Sequence, residues 1–518
     1  MEEYDVAVIG YGPTGMTLAA LLGQRGHRVL VLERYTGLYN LPRAACFDDE
    51  VMRTFQKLGL SEEIGRGAVV QRDYDWINAD GETLVELTYA DPAPCGWAQL
   101  YMMFQPHVED VLDRHDKALP TVSVRQGVTV TALIQDDAGV TLRGTSEGGG
   151  DISVRAAFVV GADGGSGFAR RVVSEAVEDY GFQENWLVCD FRMHRAVAGL
   201  PMFRQVCDPA QPTSIVRIGP HHHRFSFMLN PGETREEATR PGRVWDRVAR
   251  YLTPADAELI RAVNYVFRSR IAGRWRQGRV LLAGDAAHEM PPFLAQGMCS
   301  GIRDSHNIAW KLDLVLTGQA HPDILDTYQQ EREPHVRFIT ERAIELGRVQ
   351  TMRDPARARE RDARLLAQRR GSQAPEKLRF PPLSGGLVVN GGGLFPQAAV
   401  RAKSGSGLFD DVVGAGWCIV AATPGVLDLL TPMQRAAWER IGGRVAVVSP
   451  SSPDVSVPGA LEDLSGTYAE WFAAHGAAAA VVRPDWYVFG TATDGGGLTA
   501  LLGRLSRALE GRDVLVPS

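Results

Sequence analysis

Residues 4–33, YDVAVIGYGPTGMTLAALLGQRGHRVLVLE, decide the fold. VAVI (6–9) and VLVL (29–32) are unbroken apolar runs, the pattern of strands buried on both faces of a parallel sheet. Between them, Gly10-Tyr11-Gly12-Pro13-Thr14-Gly15 leads into a helix predicted over 16–24. In such a loop the three glycines serve a tight turn, a close approach of backbone to pyrophosphate, and close packing of helix on strand. The helix start offers free N–H groups and a positive dipole end to phosphate. Glu33, 23 positions after Gly10, stands where this arrangement places a carboxylate for a ribose hydroxyl. Strand, glycines, helix, strand and acid in register point to a dinucleotide. No signal peptide is expected ahead of a motif that begins so early, residues 1–3 included.

A second corner lies at 278–298, GRVLLAGDAAHEMPPFLAQGM. A buried strand ends in Gly284-Asp285, a Pro/Gly loop follows, and a long helix is predicted to start near Cys299. Asp285 suits a polyol hydroxyl, and the backbone N–H groups at 297–299 suit an anionic ring oxygen. The plain alternative is a β–loop–α joint. A third apolar strand ends in Asp163-Gly164, with Arg170 and Arg171 soon after. Arg43 follows a proline and precedes an acid-rich helix start. It reads equally as a salt-bridged surface arginine or as a phosphate or flavin-edge contact.

At 518 residues two or three domains are expected. The hydrophobic share of 45% and charged share of 23% are those of an ordinary globular protein. A net charge of −7 argues against nucleic acid or an anionic membrane as partner, and no apolar run is long enough to span a bilayer. The six cysteines (46, 95, 189, 207, 299, 418) form no CxxC pair, which fits a cytoplasmic protein and neither disulfides nor zinc. Adjacent His221, His222 and His223 point to different sides of a loop or strand, so no metal site is expected. His288 reads as packing at a helix start rather than as a ligand beside Asp285.

Between the corners, short strands are predicted over 74–89, 100–105, 122–126, 128–136, 139–145 and 152–157, those from 122 onward as a meander. Strands at 186–195, 213–218 and 223–229 suggest a separate antiparallel sheet, a natural roof for a substrate. Tyr74, Tyr101, His107, Arg217 and the three histidines are polar groups in or near it. Residues 353–370 read as a solvated helix of mixed charge and 371–393 as a linker. From 417 onward the order β-α-β-α-β-β-α is thioredoxin-like, with Cys418 as its only cysteine and so without two-thiol chemistry. The expected architecture is α/β: a FAD-binding Rossmann-like domain of the glutathione-reductase type, an inserted antiparallel substrate sheet, and a C-terminal thioredoxin-like domain. Its parts are 1–73 with 106–177 and 270–350 for the cofactor, 74–105 with 178–269 for the sheet, 351–393 as helix and linker, and 394–518. A distant second corner suits one long, tightly held cofactor, FAD, better than the paired halves of a nicotinamide dehydrogenase.

GYGPTG (10–15), GADGGSGFARR (161–171), the 278–298 stretch and CSGIRDSHNIAWKL (299–312) resemble the class A FAD-dependent aromatic hydroxylases of the p-hydroxybenzoate hydroxylase type. LPRAACFDDEVMRTFQ (41–56), LDTYQQERE (325–333) and VVRPDWYV (481–488) look most like the 3-(3-hydroxyphenyl)propionate hydroxylase branch. The resemblance spans essentially the whole chain. It implies a single-component monooxygenase: NADH or NADPH reduces FAD once a phenol is bound, O2 adds to form a flavin C4a-hydroperoxide, and its distal OH passes to the ring. It further implies that Gly10, Gly12, Pro13, Thr14, Gly15, Glu33 and Arg34 hold the ADP half. Arg43 and Gln105 would flank flavin and pyrophosphate, and Asp163 would serve FAD and nicotinamide contacts. Gly284 and Asp285 would take the ribityl chain, with Pro292, Gln296, Gly297 and Met298 beside the ring. No catalytic base can be named. Two departures stand out: Gly167 where the family usually has Ser, removing a hydroxyl and loosening that turn, and Ala295 where glycine is common, narrowing the approach to the flavin edge. The expected partner is a small aromatic substrate, and a homodimer or higher homo-oligomer is compatible with the C-terminal unit. Two other outcomes are a tailoring monooxygenase of a polyketide-like or heteroaromatic ring, by hydroxylation or Baeyer–Villiger insertion, and a flavoprotein that binds without turnover.

Overall fold

Strand Glu2–Ile9, helix Pro13–Gly23 and strand Val29–Glu33 form where the apolar runs and the glycine loop predict, and the two strands pair in parallel. The structure, a computed structural model, describes residues 2–371, 379–449 and 457–512. Met1 and the 372–378 part of the expected linker lie outside the described residues. The parallel run continues through Val122–Gln126 on one side and Asp151–Gly161 and Val280–Leu282 on the other. Ile9, Gly161 and Leu282 therefore end at one edge of the sheet. There Ala162 N–H donates to the Ile9 carbonyl (2.8 Å) and Ala283 N–H to that of Gly161 (2.9 Å). Three distant loops, starting at Gly10, Ala162 and Ala283, thus emerge side by side at the carboxyl ends of the strands, the usual ligand edge of such sheets.

Several expectations are corrected. Residues 152–161 are not two strands but one, Asp151–Gly161, whose first half pairs antiparallel with Val140–Ser146 and whose second half joins the parallel run. Val122–Gln126 belongs to the main sheet, not to a meander. Leu100–Met103 pairs with Cys46–Asp48 and Ala68–Val70, not with the roof. The strand ends at Met103, short of the predicted 105, and Pro106 sits in the first turn of helix Gln105–Ala118, a position where its missing N–H costs nothing.

The roof has seven strands in the order Ala257–Phe267, Glu184–Met193, His222–Met228, Thr213–Arg217, Phe203–Val206, Asp73–Ile77, Thr83–Thr88. It is not wholly antiparallel: Phe203–Val206 and Asp73–Ile77 pair in parallel, because the chain enters the sheet twice from the nucleotide unit. Phe225, Phe227, Ile215 and Leu187 face away from the nucleotide unit and pack with Val244 and Val248 of helix Pro241–Val248. The C-terminal unit is a separate seven-stranded sheet, and strand Ala460–Asp463 and the hairpin Ala399–Ala402/Gly405–Leu408 add to the predicted order.

Two contacts hold these parts together. Helix Pro13–Gly23 lies against helix Gly297–Leu316, and a side chain on either Gly284 or Gly301 would collide with the Thr14 hydroxyl. Ser305 Oγ donates to the Thr14 carbonyl at 2.8 Å across the same seam. At the other end, the turn between Ala479–Val482 and Val488–Ala492 is driven into the helices. Arg483 bridges Asp485 (2.7 Å) and Glu331 (2.7 Å), Lys311 reaches Glu331 (2.9 Å), and all four are buried. Burial alone would raise the Glu331 carboxyl, but Arg483 and Lys311 hold it below its usual value. Nearby, Lys57 Nζ donates to the Pro484 carbonyl (3.1 Å) and lies 2.7 Å from His306 Nε2. Burial pushes this amine down to about 7.

Gly301→Ala is expected to force the two helices apart, costing about 1–3 kcal/mol of stability and reducing flavin content, as thermal unfolding and absorbance would show. For Lys57 the folded value lies below the unfolded one, so the unfolded chain binds more protons between about pH 7 and 10 and stability rises with pH there. Lys57→Met should therefore raise Tm most near pH 7, with an advantage that shrinks toward pH 10. A pH-independent difference would contradict this assignment.

Candidate active site

Gly10 has φ +104, and any side chain on it would strike the Ala162 carbonyl. A side chain on Gly15 would strike the Gly10 carbonyl. Gly12 differs: only Arg43 Nη2, at 3.7 Å, lies near a Cβ built there. The first and third glycines thus serve packing, while the second keeps open the space before an uncapped helix start. Pro13 occupies the first helical turn, and Thr14 turns its hydroxyl to the Gly284–Gly301 seam. Glu33 accepts from the backbone N–H groups of Tyr11 (2.8 Å) and Tyr35 (3.0 Å), so its carboxylate is fixed at the end of the groove. Arg34 is exposed at the rim, its guanidinium over the Tyr35 ring.

Arg43 is both things its sequence context allows. Its guanidinium pairs with Glu109 (3.1 Å) and faces the glycine turn. Its backbone is locked from two sides. Buried Gln105 accepts from the N–H groups of Arg43 (3.1 Å) and Ala44 (2.5 Å), while Arg224 of the roof donates to the carbonyls of Pro42 (2.8 Å) and Arg43 (2.7 Å). Arg224 is in turn paired with buried Asp190 (2.6 Å).

The second corner is held from behind by Arg170 and His288, and by Asp304 and Arg332, which the sequence did not single out. Arg170 donates to the carbonyls of Asp285 and Ala286 (2.8 Å for the latter) and pairs with Glu289 (3.0 Å). Asp304 accepts from Gly284 N–H (3.0 Å), lies 2.6 Å from His288 Nε2, and pairs with Arg332 (3.0 Å). His288 is fully buried against Trp275, a packing and pairing group. The Asp285 side chain itself is exposed, but into the cavity; the surrounding protein raises its carboxyl above the usual range. Asp163 accepts from Ala169 N–H (3.0 Å), and its carboxylate fills the space where a side chain on residue 167 would stand. Gly167 therefore does not loosen the turn: its absent side chain lets Asp163 close it. Burial raises the Asp163 carboxyl.

The loop between the corners runs over Pro292–Leu294 to Gln296 and into helix Gly297–Leu316, whose start has no side-chain cap. Ala295 has φ +56, the left-handed region, which explains why glycine suits this position. Its methyl packs in the wall with Cys46, Leu100, Met102 and Val216. Gln296 accepts from Arg303 (2.9 Å), which also binds Glu50 (2.6 Å) and Asp48; Glu50 accepts from Tyr487 of the C-terminal unit (3.1 Å). Pro292 is exposed to the cavity, and around Gly297 and Met298 only the Met290 side chain (3.8 Å) approaches a Cβ built on the glycine. Phe293 nests on Gly347, where a side chain would collide with its ring, and meets Trp186 edge-on with centroids 6.1 Å apart.

One cavity of about 2640 Å³ joins these features. It runs from Glu33 past Gly12, Arg43 and Asp285 to Pro292, then opens beneath the roof. Two uncapped helix starts, two glycines with clear approaches and two cavity-facing carboxylates form an elongated groove that fits the two halves of FAD. Of the polar groups considered for the roof, Tyr74 lines the cavity; its hydroxyl accepts from Gln350 (3.0 Å) and its ring stacks on Phe203 (3.9 Å). Tyr101 accepts from Ala98 N–H, His107 lies by the Glu63 carbonyl, and Arg217 donates to the carbonyls of Gly219 and Pro220, all away from the cavity. His222 stacks on Phe104, His223 lies by the Pro201 carbonyl, and His221 is exposed. Among the described residues no group of three or more His, Cys, Asp or Glu is placed to hold a metal ion. The cavity face of the roof instead carries Ser214, Ser226, Gln205, Trp186 and Tyr265. Strict alternation with Phe225 and Phe227 could have placed Ser226 there from sequence.

The family model for the FAD binding domain matches residues 3–343, and that for the HcaD C-terminal domain matches 392–508. The chain is 56% identical to a probable NADH-specific resorcinol 4-hydroxylase of Rhodococcus jostii (strain RHA1), over 98% of this chain and 96% of that one. It is 30% identical to a 3-(3-hydroxy-phenyl)propionate/3-hydroxycinnamic acid hydroxylase of Comamonas testosteroni, over 94% of each. In fold it is similar to the flavin-dependent monooxygenase PieE in complex with FAD and substrate (TM-score 0.81, 22% identity, 99% of each chain). It is likewise similar to aklavinone-11 hydroxylase with FAD and aklavinone (TM-score 0.78, 24% identity, 99% and 100%).

Asp285→Asn keeps the shape of the corner but removes the charge that strengthens a hydrogen bond to a polyol. FAD affinity of the apoprotein, measured by fluorescence quenching on reconstitution, should fall about tenfold or more. Unchanged affinity would remove Asp285 from the cofactor site.

Proposed function

The chain belongs to the FAD binding domain family of class A aromatic hydroxylases, and from that premise we propose that it hydroxylates a small phenol, using NAD(P)H and O2, with resorcinol as the leading substrate. The observation that carries this is the single cavity that leads from the cofactor groove into an aromatic chamber under the roof. The relative at 56% identity supports both resorcinol and NADH.

The chemistry supplied by bound FAD is acceptance of hydride from NAD(P)H and activation of O2. The chain's own residues bind, orient and shield. Glu33, Gly12 and Arg43 would take the ADP and pyrophosphate, Asp285 the ribityl hydroxyls, and the N–H groups at Gly297 and Met298 the ring oxygen. Pro292 and Phe293 form the edge on which the phenol ring sits. The roof, tied down through Arg224 to Pro42 and Arg43, keeps water from the reacting atoms.

We read the 394–518 unit as thioredoxin-like and structural, a role supported by Cys418 being its lone cysteine and by the Arg483–Glu331 clamp. The first unit we read as Rossmann-like, of the glutathione-reductase type, which the parallel strand order supports. Six free, buried cysteines support a reducing, cytoplasmic setting, and no helix among the described residues is long and apolar enough to cross a membrane.

The purified protein should be yellow. Across a panel of phenols, resorcinol should give the largest stimulation of NADH oxidation, with little from NADPH, and a product carrying one added oxygen on the ring. If no phenol accelerates flavin reduction the proposal is wrong, and product NMR showing a ring-expanded lactone would replace hydroxylation with insertion.

A further inference from the structure

Strand register places a row of residues across the cavity face of the roof. Val263, Val188, Ser226, Ser214, Gln205 and Trp76 stand opposite one another in successive strands, and all line the cavity. Residues paired in this way lie about 5 Å apart, close enough for one small ring substituent to touch two or three of them. The flanks are apolar and aromatic. The middle is three neutral hydrogen-bonding side chains in line.

Gln205 and Ser226 are deeply set, 2% and 9% exposed, and Ser214 is half-buried. Among the described residues neither serine hydroxyl has a hydrogen-bond partner, and Gln205 makes one bond, from Nε2 to the Val206 carbonyl at 3.3 Å. None of them is among the polar atoms sealed without a partner, so they open onto the cavity. With no partner among the described residues for either hydroxyl and the cavity open before them, these groups are free to bond a polar group of a guest. Two residues along the strands, Arg224 directs its N–H groups at Asp190 and at the carbonyls of Pro42 and Arg43. The middle of the row therefore offers hydrogen bonds without charge. On the other side Trp186 and Phe293 give apolar walls for a ring.

We propose that Ser226, Ser214 and Gln205 form the recognition site for the second hydroxyl of a neutral dihydroxybenzene, the hydroxyl that is not beside the carbon being oxidised. The assignment rests on the hydroxylase reading and adds to it what selects a diphenol over a simple phenol or an aryl carboxylate. Ser226 and Ser214 contribute through position in the sheet, and Gln205 can donate or accept as the substrate hydroxyl requires.

The test uses the FAD-loaded enzyme with resorcinol, phenol and 3-(3-hydroxyphenyl)propionate as probes. Binding is read from the change in flavin absorbance, and turnover from NADH oxidation and product. Wild type should bind resorcinol best. Ser226→Ala and Ser214→Ala should each weaken resorcinol about tenfold in Kd and kcat/KM, the worth of one hydrogen bond, while phenol is unchanged. Ser226→Thr, which keeps the hydroxyl, should retain the preference, and flavin content reports folding in every variant. If both serine variants keep the resorcinol-over-phenol ratio, or weaken the two alike, the row is not the recognition site although the hydroxylase reading stands. If wild type neither binds nor hydroxylates any of the three, the hydroxylase reading falls and this site with it.

Discussion

The close approach of helix Pro13–Gly23 to the Gly284 turn and to helix Gly297–Leu316 is the constraint on which the rest depends. Nothing but hydrogen fits on Gly284 or Gly301 where Thr14 leans in. Because the two helices touch there, a dinucleotide loop near residue 12 and an acid at residue 285 open onto one groove rather than two. Packing this tight cannot adjust in small steps, since interiors are close-packed and a single methyl is felt. The Asp304 pairing with Gly284, His288 and Arg332 fixes the same turn from its buried side, so the corner that faces the cavity is set by residues that never reach it.

The roof is held to the groove by charge as well as by the apolar packing of Val216 and Ile218 on Cys46 and Met102. Asp190 is buried, and it is compensated by Arg224, which also satisfies the carbonyls of Pro42 and Arg43, with Arg261 at 3.8 Å. Removing either partner would strand the other in a poor dielectric, so the pair ties the roof to Arg43 as a unit. The groove side and the chamber side of the cavity are in this way built on the same backbone segment. The orientation of Arg43 toward the glycine turn follows from that segment being held by Gln105 below and Arg224 above.

The C-terminal unit reaches the cavity wall with Leu394, His475 and Tyr487. Its turn inserts Arg483, Asp485, Trp486 and Tyr487 into the nucleotide unit, and Tyr487 reaches Glu50, which with Gln296 is held by Arg303. Burial opposes the charge on Arg303, yet Asp48 and Glu50 keep its guanidinium firmly protonated. The loop that carries Pro292 and Ala295 is thus pinned at its far end by a network that begins in another sheet. Buried ion pairs of this sort are weak evidence for stability, but they specify one arrangement of the units over others.

The local signals were strong where they depended on chain neighbours alone. Apolar runs of period one, glycines at 10, 12 and 15, and an acid at a strand end follow from backbone sterics and strand burial. They therefore stand in the sequence as letters at fixed spacings. The same holds for the Gly284-Asp285 corner. What the letters could not carry was partnership across the chain. Strand Leu100–Met103 looked like roof and is not, because pairing is decided by the tertiary register and not by β propensity. Ser214 and Ser226, commonplace in any strand, become neighbours of Gln205 only when three hairpin-connected strands align. Arg170, Asp304 and Arg303 read as ordinary charges until folding sets them against distant partners, 116 residues away for Arg170, 16 to 28 for Asp304 and 255 for Arg303. The amino-acid sequence by itself determined which cofactor groove this chain builds, since that groove is written in local backbone geometry. Only the tertiary structure decided what faces the substrate, since that depends on which distant side chains are brought to one face and left without partners there.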